Sequence, residues 1–480
     1  MKRKIKNTIG KDFYDFLNHG KNYVTAGLFN QSLSIITVPI FTRLLVPSDY
    51  GILAILTSFV AIFSIIFGLG IEGSVTRYYF EKTNDFNQFL GSTISLLIVW
   101  GVSLSFILFF LDDLLLSFFQ VPVNIIYIGI VIIFFKAYFR LYTSYLKVSK
   151  QSKKVATLTI IQRIVSIIIS VVLILQLQND KYYGRAFAMM IIAGGMGIYS
   201  LYHLKKLLKV TFKKKYLKYS LVFSLPIVLH FLSQYILGSF DLVIINQIVG
   251  KAETGLYSLA YSIGMIQSMV SMGLLRAWTP EFYEKLNSRN YNGINSIASK
   301  FARIVYVFAF LLILFSREMI IVLADKKYYV ALDIVPIVII SYVFFFLYTM
   351  YVNFAFYHKK TYLIAIITIV AGGINIGLNY WLIPLYGYKV AAWTTLVSYA
   401  CLFVLHYFNV RFIIKPEWIT KLKVLLPNFF IMIGFVLLYT FVNVKMQNIY
   451  LLFVMKVLLL LGLLVIYFGR DIKHKFSPRV

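Results

Sequence analysis

Fourteen stretches of about twenty residues, nearly all apolar, follow one another along this 480-residue chain. At 1.5 Å per residue, that is the length an α-helix needs to cross roughly 30 Å of hydrocarbon. The runs fall at 22–44, 52–76, 88–111, 123–145, 156–176, 187–203, 220–241, 255–280, 304–315 extending to about 323, 332–357, 362–383, 390–410, 425–442 and 450–469. Only 14% of residues are charged and 60% are apolar, whereas a soluble domain carries about 25% charged residues. Because backbone N–H and C=O groups in lipid must be satisfied within their own segment, the chain reads as an all-α integral membrane protein of about 14 transmembrane helices. The first run is too long for a signal-peptide core and lacks a small-residue cleavage site, so it is expected to remain as a span.

The formal charge of +29 would suggest nucleic acid in a soluble protein, but here it reads as topology. With the N-terminus placed inside, the segments on that side hold 33 Lys and Arg and those on the opposite side hold 9. Both termini and the basic stretch 205–218 are therefore expected in the cytoplasm. The other five cations, Lys136, Arg140, Arg163, Arg276 and Lys456, fall within spans. The single cysteine, Cys401, and six scattered histidines encode no disulfide and no metal site.

Three stretches repeat at one offset. PSDYGILAILTSF (47–59) aligns with KAETGLYSLAYSI (251–263) at 204, pairing Gly51 with Gly255. GIEGSVTRYYFEKTN (70–84) aligns with GLLRAWTPEFYEKLN (273–287), and YYGRAFAMMIIA (182–193) with LYGYKVAAWTTL (385–396), both at 203. Six spans per repeat make the two copies parallel. The expected organisation is a six-helix bundle at 1–210, a second at 211–411, and two further helices with a cytoplasmic tail at 412–480.

Polar residues within the spans mark the candidate sites. Lys136, Arg140, Thr143 and Lys147 share one helical face, and Lys136 is about nine residues, about 13 Å, from the expected helix end. Thr159, Arg163, Ser166 and Ser170 form a second stripe on the next span. If both stripes turn inward, Lys136, Arg140 and Arg163 make a cationic pocket suited to a phosphate-bearing substrate; snorkelling towards the cytoplasm is the alternative. His230, Gln234 and Asp241 share a face that can titrate or hold a cation and are the candidates for H+ or Na+ coupling, with an Asp241 at the outer interface and a His230 that is simply hydrogen-bonded as the competing reading. Glu72, Arg77 and Arg276 near the inner ends of their spans are gating candidates, with anchoring of the helices at the interface as the alternative. Asn30, Ser34, Thr37, Asn375 and Asn379 are candidate polar cavity lining, with interhelical hydrogen bonding as the competing use. A literal GxGxxG at Gly68, Gly70 and Gly73 lacks the strand a dinucleotide site needs, and no P-loop is present, so no cofactor is expected.

PIFTRLLVPSDYGILAILTSFVAIFSIIFGLGIEGSVTRYYFE (39–81) resembles the first two helices of bacterial O-antigen-type polysaccharide flippases, and NIGLNYWLIPLYGYKVAAWTTLVSY (375–399) resembles a later signature of the same proteins. The resemblance implies the multidrug/oligosaccharidyl-lipid/polysaccharide (MOP) exporter fold, two six-helix bundles around a central cavity. It also implies a function. The substrate would be an undecaprenyl-pyrophosphate-linked oligosaccharide, moved from the inner to the outer leaflet of the bacterial cytoplasmic membrane by alternating access. Partners would be that glycan, the bilayer, and the polymerase and glycosyltransferases that handle it. Lipid II flippases and multidrug exporters are alternatives of the same superfamily. A membrane-embedded glycan polymerase or acyltransferase is the alternative of another class, but such an enzyme commonly needs acid/base groups on a sizeable external loop. None of the short external loops here carries a His beside a carboxylate, so the chain is read as a transporter and not an enzyme.

The charge partition makes a direct prediction. Cysteines introduced at 205–218 should be shielded from an impermeant thiol reagent in intact cells, and those at 112–122 and 384–389 should react. Labelling of 205–218 from outside would contradict the topology.

Overall fold

The computed structural model describes residues 11–81, 85–205, 212–445 and 449–476, with the side chains of some helical residues, His230 among them, outside the described set. All regular structure among these residues is helical. The first half comprises α1 (Lys11–Leu44), α2 (Pro47–Gly68), α3 (Ile71–Glu81), α4 (Phe86–Phe110), the short α5 (Asp112–Phe119), α6 (Val123–Val148), α7 (Ser152–Gln176) and α8 (Tyr182–Lys205). There follow α9 (Lys214–Ser239), α10 (Asp241–Ile248), α11 (Lys251–Gly264), α12 (Ile266–Asn287), α13 (Tyr291–Leu314), α14 (Ser316–Leu323) and a 3-10 turn at Lys326–Ile334. The chain continues through α15 (Val335–Tyr357), α16 (Thr361–Tyr386), α17 (Val390–Phe408), a π-helical turn at Asn409–Ile414, α18 (Leu422–Lys445) and α19 (Ile449–Phe476).

Twelve helical segments among the described residues are long and apolar enough to cross a membrane. The two other expected runs, 22–44 and 220–241, lie along α1 and α9 and include residues outside the described set. Several helices outrun their apolar stretch. The ninth run, expected from 304, begins as a helix at Tyr291, because an amphipathic turn carrying Lys300 and Arg303 continues the span beyond its apolar part. Arg303 there donates to the Tyr467 carbonyl of α19 at 2.7 Å. Between α2 and α3 the chain breaks at Leu69 and Gly70, both left-handed with φ of 47° and 65°. The GxGxxG glycines thus belong to a helix break, where Gly70 supplies a conformation that a side chain resists.

By packing, the chain divides into one unit of Met1–Leu256 with Leu323–Lys327 and a second of Tyr257–Val322 with Tyr328–Val480. In the first unit, apolar clusters gather around Ile55, Phe59, Phe119 and Ile125, and around Val75, Phe89, Tyr138 and Tyr216. Alternate loops of the first unit meet in two groups. Tyr219 donates to Glu81 at 2.6 Å, and Tyr78 and Tyr216 donate to the two oxygens of Asp85 at 2.8 and 3.0 Å. Burial works to raise the Asp85 carboxyl, but the hydrogen bonds from Tyr78, Tyr216 and Lys215 outweigh it and hold the group below its ordinary range. On the opposite group, Asn246 donates to the Phe119 carbonyl at 2.6 Å and Gln247 to that of Phe118 at 2.7 Å. In the second unit, Arg289 pairs with Glu417 at 3.5 Å at one end, and Lys389 with Asp333 at 2.6 Å at the other.

The repeat-matched glycines touch. A Cβ on Gly51 would lie 1.8 Å from the Lys251 carbonyl oxygen, and one on Gly255 would lie 1.9 Å from that of Pro47. Each helix start presents its glycine to the other's first-turn carbonyl, as in the close crossings that small residues permit in membranes. Gly51→Ala or Gly255→Ala must push two backbones apart and should cost about 1–3 kcal/mol by overpacking. Gly273→Ala, which meets open space, should leave stability unchanged or slightly raised. Thermal unfolding of the three variants in detergent checks this.

Candidate functional site

Five helices of the first unit surround a cavity of about 500 Å3. Asn30 and Ser34 come from α1, Val60 from α2, Lys136 from α6, and Met189 and Met196 from α8. From α7 come Thr159, Gln162, Arg163 and Ser166. The α7 stripe therefore faces a hollow, while the apolar Ile161, Ile168, Val172 and Leu175 of the same helix are exposed on its outer side. Lys136 stands deeper than its sequence suggests. Helix α6 continues to Val148, twelve residues or about 18 Å beyond Lys136, so that it lies near the middle of the span.

The hydrogen bonding of the cavity is incomplete. Arg163 donates from Nη2 to Ser34 Oγ at 2.9 Å, and Ser34 Oγ donates in turn to the Asn30 carbonyl at 3.0 Å. Arg163 Nε and Asn30 Oδ1 are buried without a hydrogen-bond partner among the described residues. No carboxylate among the described residues forms an ion pair with Lys136 or Arg163. A cation at the middle of a span costs about 2.5–3.5 kcal/mol on insertion scales. Two of them line one polar hollow here, each without a carboxylate partner among the described residues.

Arg140, expected to join them, turns away. Its Nε lies 2.7 Å from Glu72 Oε1 on α3 and its Nη1 is 3.4 Å from the Ser64 carbonyl. It shares a helical face with Lys136, but a long guanidinium swings sideways to the nearest carboxylate, a partner on another helix that spacing along α6 does not reveal. Glu72 is thus tied to Arg140, while Arg77 pairs with Glu81 one turn on at 2.5 Å, and Arg276 is exposed on α12. Thr37 lines a smaller neighbouring cavity. Asn375 and Asn379 are wholly buried: Asn379 donates to Asn375 Oδ1 at 3.2 Å and accepts from Thr394, joining α16 to α17. Asp241 is buried at the start of α10 and Gln234 is half-buried on α9. The His230 side chain lies outside the described residues.

Sequence reasoning missed Gln162 and, more consequentially, Arg185. The sixth apolar run was read from 187, which left Arg185 in a loop, whereas α8 starts at Tyr182 and carries Arg185 in its first turn. Arg185, Met189, Ile192 and Met196 all line cavities at spacings of four, seven and eleven. That helical face, read backwards from the methionines, is the signal that would have found it.

Comparison with known proteins adds the following. The polysaccharide biosynthesis protein family matches residues 21–285, more than half of the chain, and the MatE family matches 226–381. Lsg locus protein 1 of Haemophilus influenzae is 22% identical over 276 residues, which span 56% of this chain and 66% of that protein, just under two thirds of it. Among solved structures, the fold matches the lipid II flippase MurJ in an inward closed conformation, with a TM-score of 0.72 at 17% identity over 94% of this chain and 99% of that one. It also matches an inward-facing multidrug resistance MATE family transporter of the MOP superfamily, with a TM-score of 0.65 at 14% identity over 82% and 96%.

The Arg140–Glu72 pair can be tested apart from the cavity. Removing one partner strands the other charge, so Glu72→Gln should destabilise the protein by about 1 kcal/mol or more, and the Glu72→Gln, Arg140→Gln double variant should recover part of that loss. Strict additivity in thermal unfolding would show the two to be independent.

Proposed function

This chain belongs to the polysaccharide biosynthesis protein family, within the MOP exporter superfamily, and we propose that it flips an undecaprenyl-pyrophosphate-linked oligosaccharide from the inner to the outer leaflet of the bacterial cytoplasmic membrane. The observation that carries this reading is the pairing of Lys136 and Arg163 in one membrane-depth cavity with no carboxylate partner among the described residues. A headgroup with phosphates and many hydroxyls cannot cross about 30 Å of hydrocarbon unaided, whereas its polyprenyl tail can stay in lipid throughout. Two cations on facing helices, with a ring of Ser, Thr, Asn and Gln around them, offer the phosphates charge-assisted bonds and the sugar hydroxyls neutral ones. The family match over more than half of the chain favours a polysaccharide precursor over a drug. Both termini lie in the cytoplasm on this reading, by the charge partition. Transport proceeds by alternating exposure of the cavity to the two sides, as repeat-built transporters work.

The test is a leaflet assay in proteoliposomes, using an undecaprenyl-pyrophosphate-linked oligosaccharide with a fluorescent sugar that an external glycosidase can cleave. Vesicles with the wild-type protein should expose the inner-leaflet pool to the enzyme. Vesicles with the Lys136→Ala, Arg163→Ala variant should protect it as protein-free vesicles do. Equal exposure by wild type and variant would refute the cationic site, and an elongated glycan product would point to a polymerase.

A further inference from the structure

The end of the second unit that the charge partition assigns to the cytoplasm holds a cavity of about 340 Å3. Its walls come from three junctions: between α12 and α13, between α15 and α16, and between the π-helical turn and α18. The volume falls in the range of small-molecule sites, about 300–1,000 Å3. Side chains fix the junctions in place. Asn290 caps α13 by accepting from the Gly293 N–H at 2.9 Å, and Tyr357 at the end of α15 donates to Asn287 Oδ1 at the end of α12 at 2.5 Å. Trp418 stacks on Tyr291 with ring centres 5.1 Å apart and planes 9° from parallel, and its ring lies 6.3 Å from that of the wholly buried Phe354. A flat aromatic wall is thus anchored on the core of the unit.

The polar wall differs in kind from that of the first-unit cavity. One guanidinium, Arg289, and one carboxylate, Glu417, line it and pair with each other at 3.5 Å, so their charges offset. His358 adds none: burial, and then the Lys360 ammonium, hold its imidazole below the ordinary range, which leaves it neutral at pH 7. Donors and acceptors are both on offer, because Arg289 only donates, Glu417 only accepts, and Asn287, Tyr357 and a neutral imidazole do both. The contacts of Glu417, 3.5 Å to Arg289 and 3.4 Å to Tyr291 Oη, are longer than the ~2.7–2.9 Å of a full charge-assisted bond, so the carboxylate has capacity for a closer partner. An anion asks for donors alone and would meet Glu417, whereas an apolar ligand would strip water from these groups and leave them unpaired. A pyranose ring suits both walls, with C–H groups on its faces and hydroxyls at its rim that each donate and accept.

Resting on the flippase reading above, we propose that this cavity is a sugar site that takes a neutral pyranose ring of the lipid-linked glycan from the cytoplasm, its C–H face against Tyr291 and Trp418 and its hydroxyls on Glu417, Arg289, Asn287 and His358. Rigid aromatic rings with a polar rim give contact area at low entropic cost, which is how weakly charged ligands are held. On this assignment the phosphates are recognised by charge in the first unit and a sugar by shape and hydrogen bonding in the second. The second site lets the protein prefer one glycan over another carried on the same lipid.

The test titrates the methyl glycosides of glucose, galactose, N-acetylglucosamine and rhamnose, with methyl glucuronide as the anionic counterpart, against the full-length protein in nanodiscs free of glycolipid, by saturation-transfer NMR. At least one neutral glycoside should bind in the millimolar range and more tightly than the glucuronide. Trp418→Ala and Glu417→Gln should each weaken it about tenfold or more, and Trp418→Phe, which keeps an aromatic face, should stay within about threefold. Glu417 is exposed, so Glu417→Gln keeps the test decisive if Trp418→Ala fails to fold. In the leaflet assay, Glu417→Gln should raise the glycolipid concentration for half-maximal flipping about tenfold, a larger effect than on the maximal rate. Binding of no neutral glycoside, equal binding by wild type and both weakened variants, or tighter binding of the glucuronide would overturn the sugar site while leaving the flippase reading intact. Lost glycoside binding with unchanged flipping would overturn the glycan as occupant and assign the cavity to a free cytoplasmic sugar. A wild type that binds a glycoside but flips no lipid-linked glycan would overturn the flippase reading and this assignment with it.

Discussion

A positive charge in the middle of a hydrocarbon span must be neutralised, hydrated or put to use, and the first unit of this protein is arranged around that constraint. Arg140 is neutralised by Glu72. Lys136 and Arg163 are not neutralised by any described carboxylate, and hydroxyls, amides and open volume surround them instead. The hollow is space that a core built only for stability would have filled with Leu and Ile. The second unit treats its deep cation differently. Lys456 of α19 is 1% exposed, and its ammonium is met by Glu318 of α14 at 2.7 Å and by the rings of Phe315 and Tyr439. Among the described residues, deep cations are thus paired within the protein at Arg140 and Lys456 and left without a carboxylate at Lys136 and Arg163.

The glycine crossing shows how a repeat becomes architecture. Residues that match at an offset of 204, Pro47 with Lys251 and Gly51 with Gly255, contact one another reciprocally, each glycine beneath the other's first-turn carbonyl. Such a contact is self-complementary, as at a two-fold interface between identical subunits. Because backbone meets backbone there, the crossing leaves no room for a side chain at either position.

Much of the fold was legible because bilayer thickness and charge asymmetry act on single segments. The spans follow from apolar length, and an up-and-down succession of spans brings alternate loops together, as at Glu81–Tyr219 and at Asn246–Phe119. What stayed hidden depends on neighbours distant in sequence. Nothing along α6 shows that Arg140 finds Glu72, sixty-eight residues earlier, while Lys136 one turn away finds none. The Asn375–Asn379–Thr394 chain likewise needs α17 beside α16 before it reads as packing rather than as cavity lining. Arg185 escaped for a local reason: an aromatic first turn, Tyr182 and Tyr183, lowers the apparent apolarity of a helix that has already begun.

The central claim is that an anion is bound between Lys136 and Arg163. The most direct measurement is a cryo-electron microscopy structure of the full chain in nanodiscs with undecaprenyl pyrophosphate added. The account predicts diphosphate density in the first-unit cavity, with phosphate oxygens about 3 Å from Lys136 Nζ and from the Arg163 guanidinium, and the tail leaving towards lipid. Well-defined ligand density elsewhere on the protein, with that cavity empty, would contradict it.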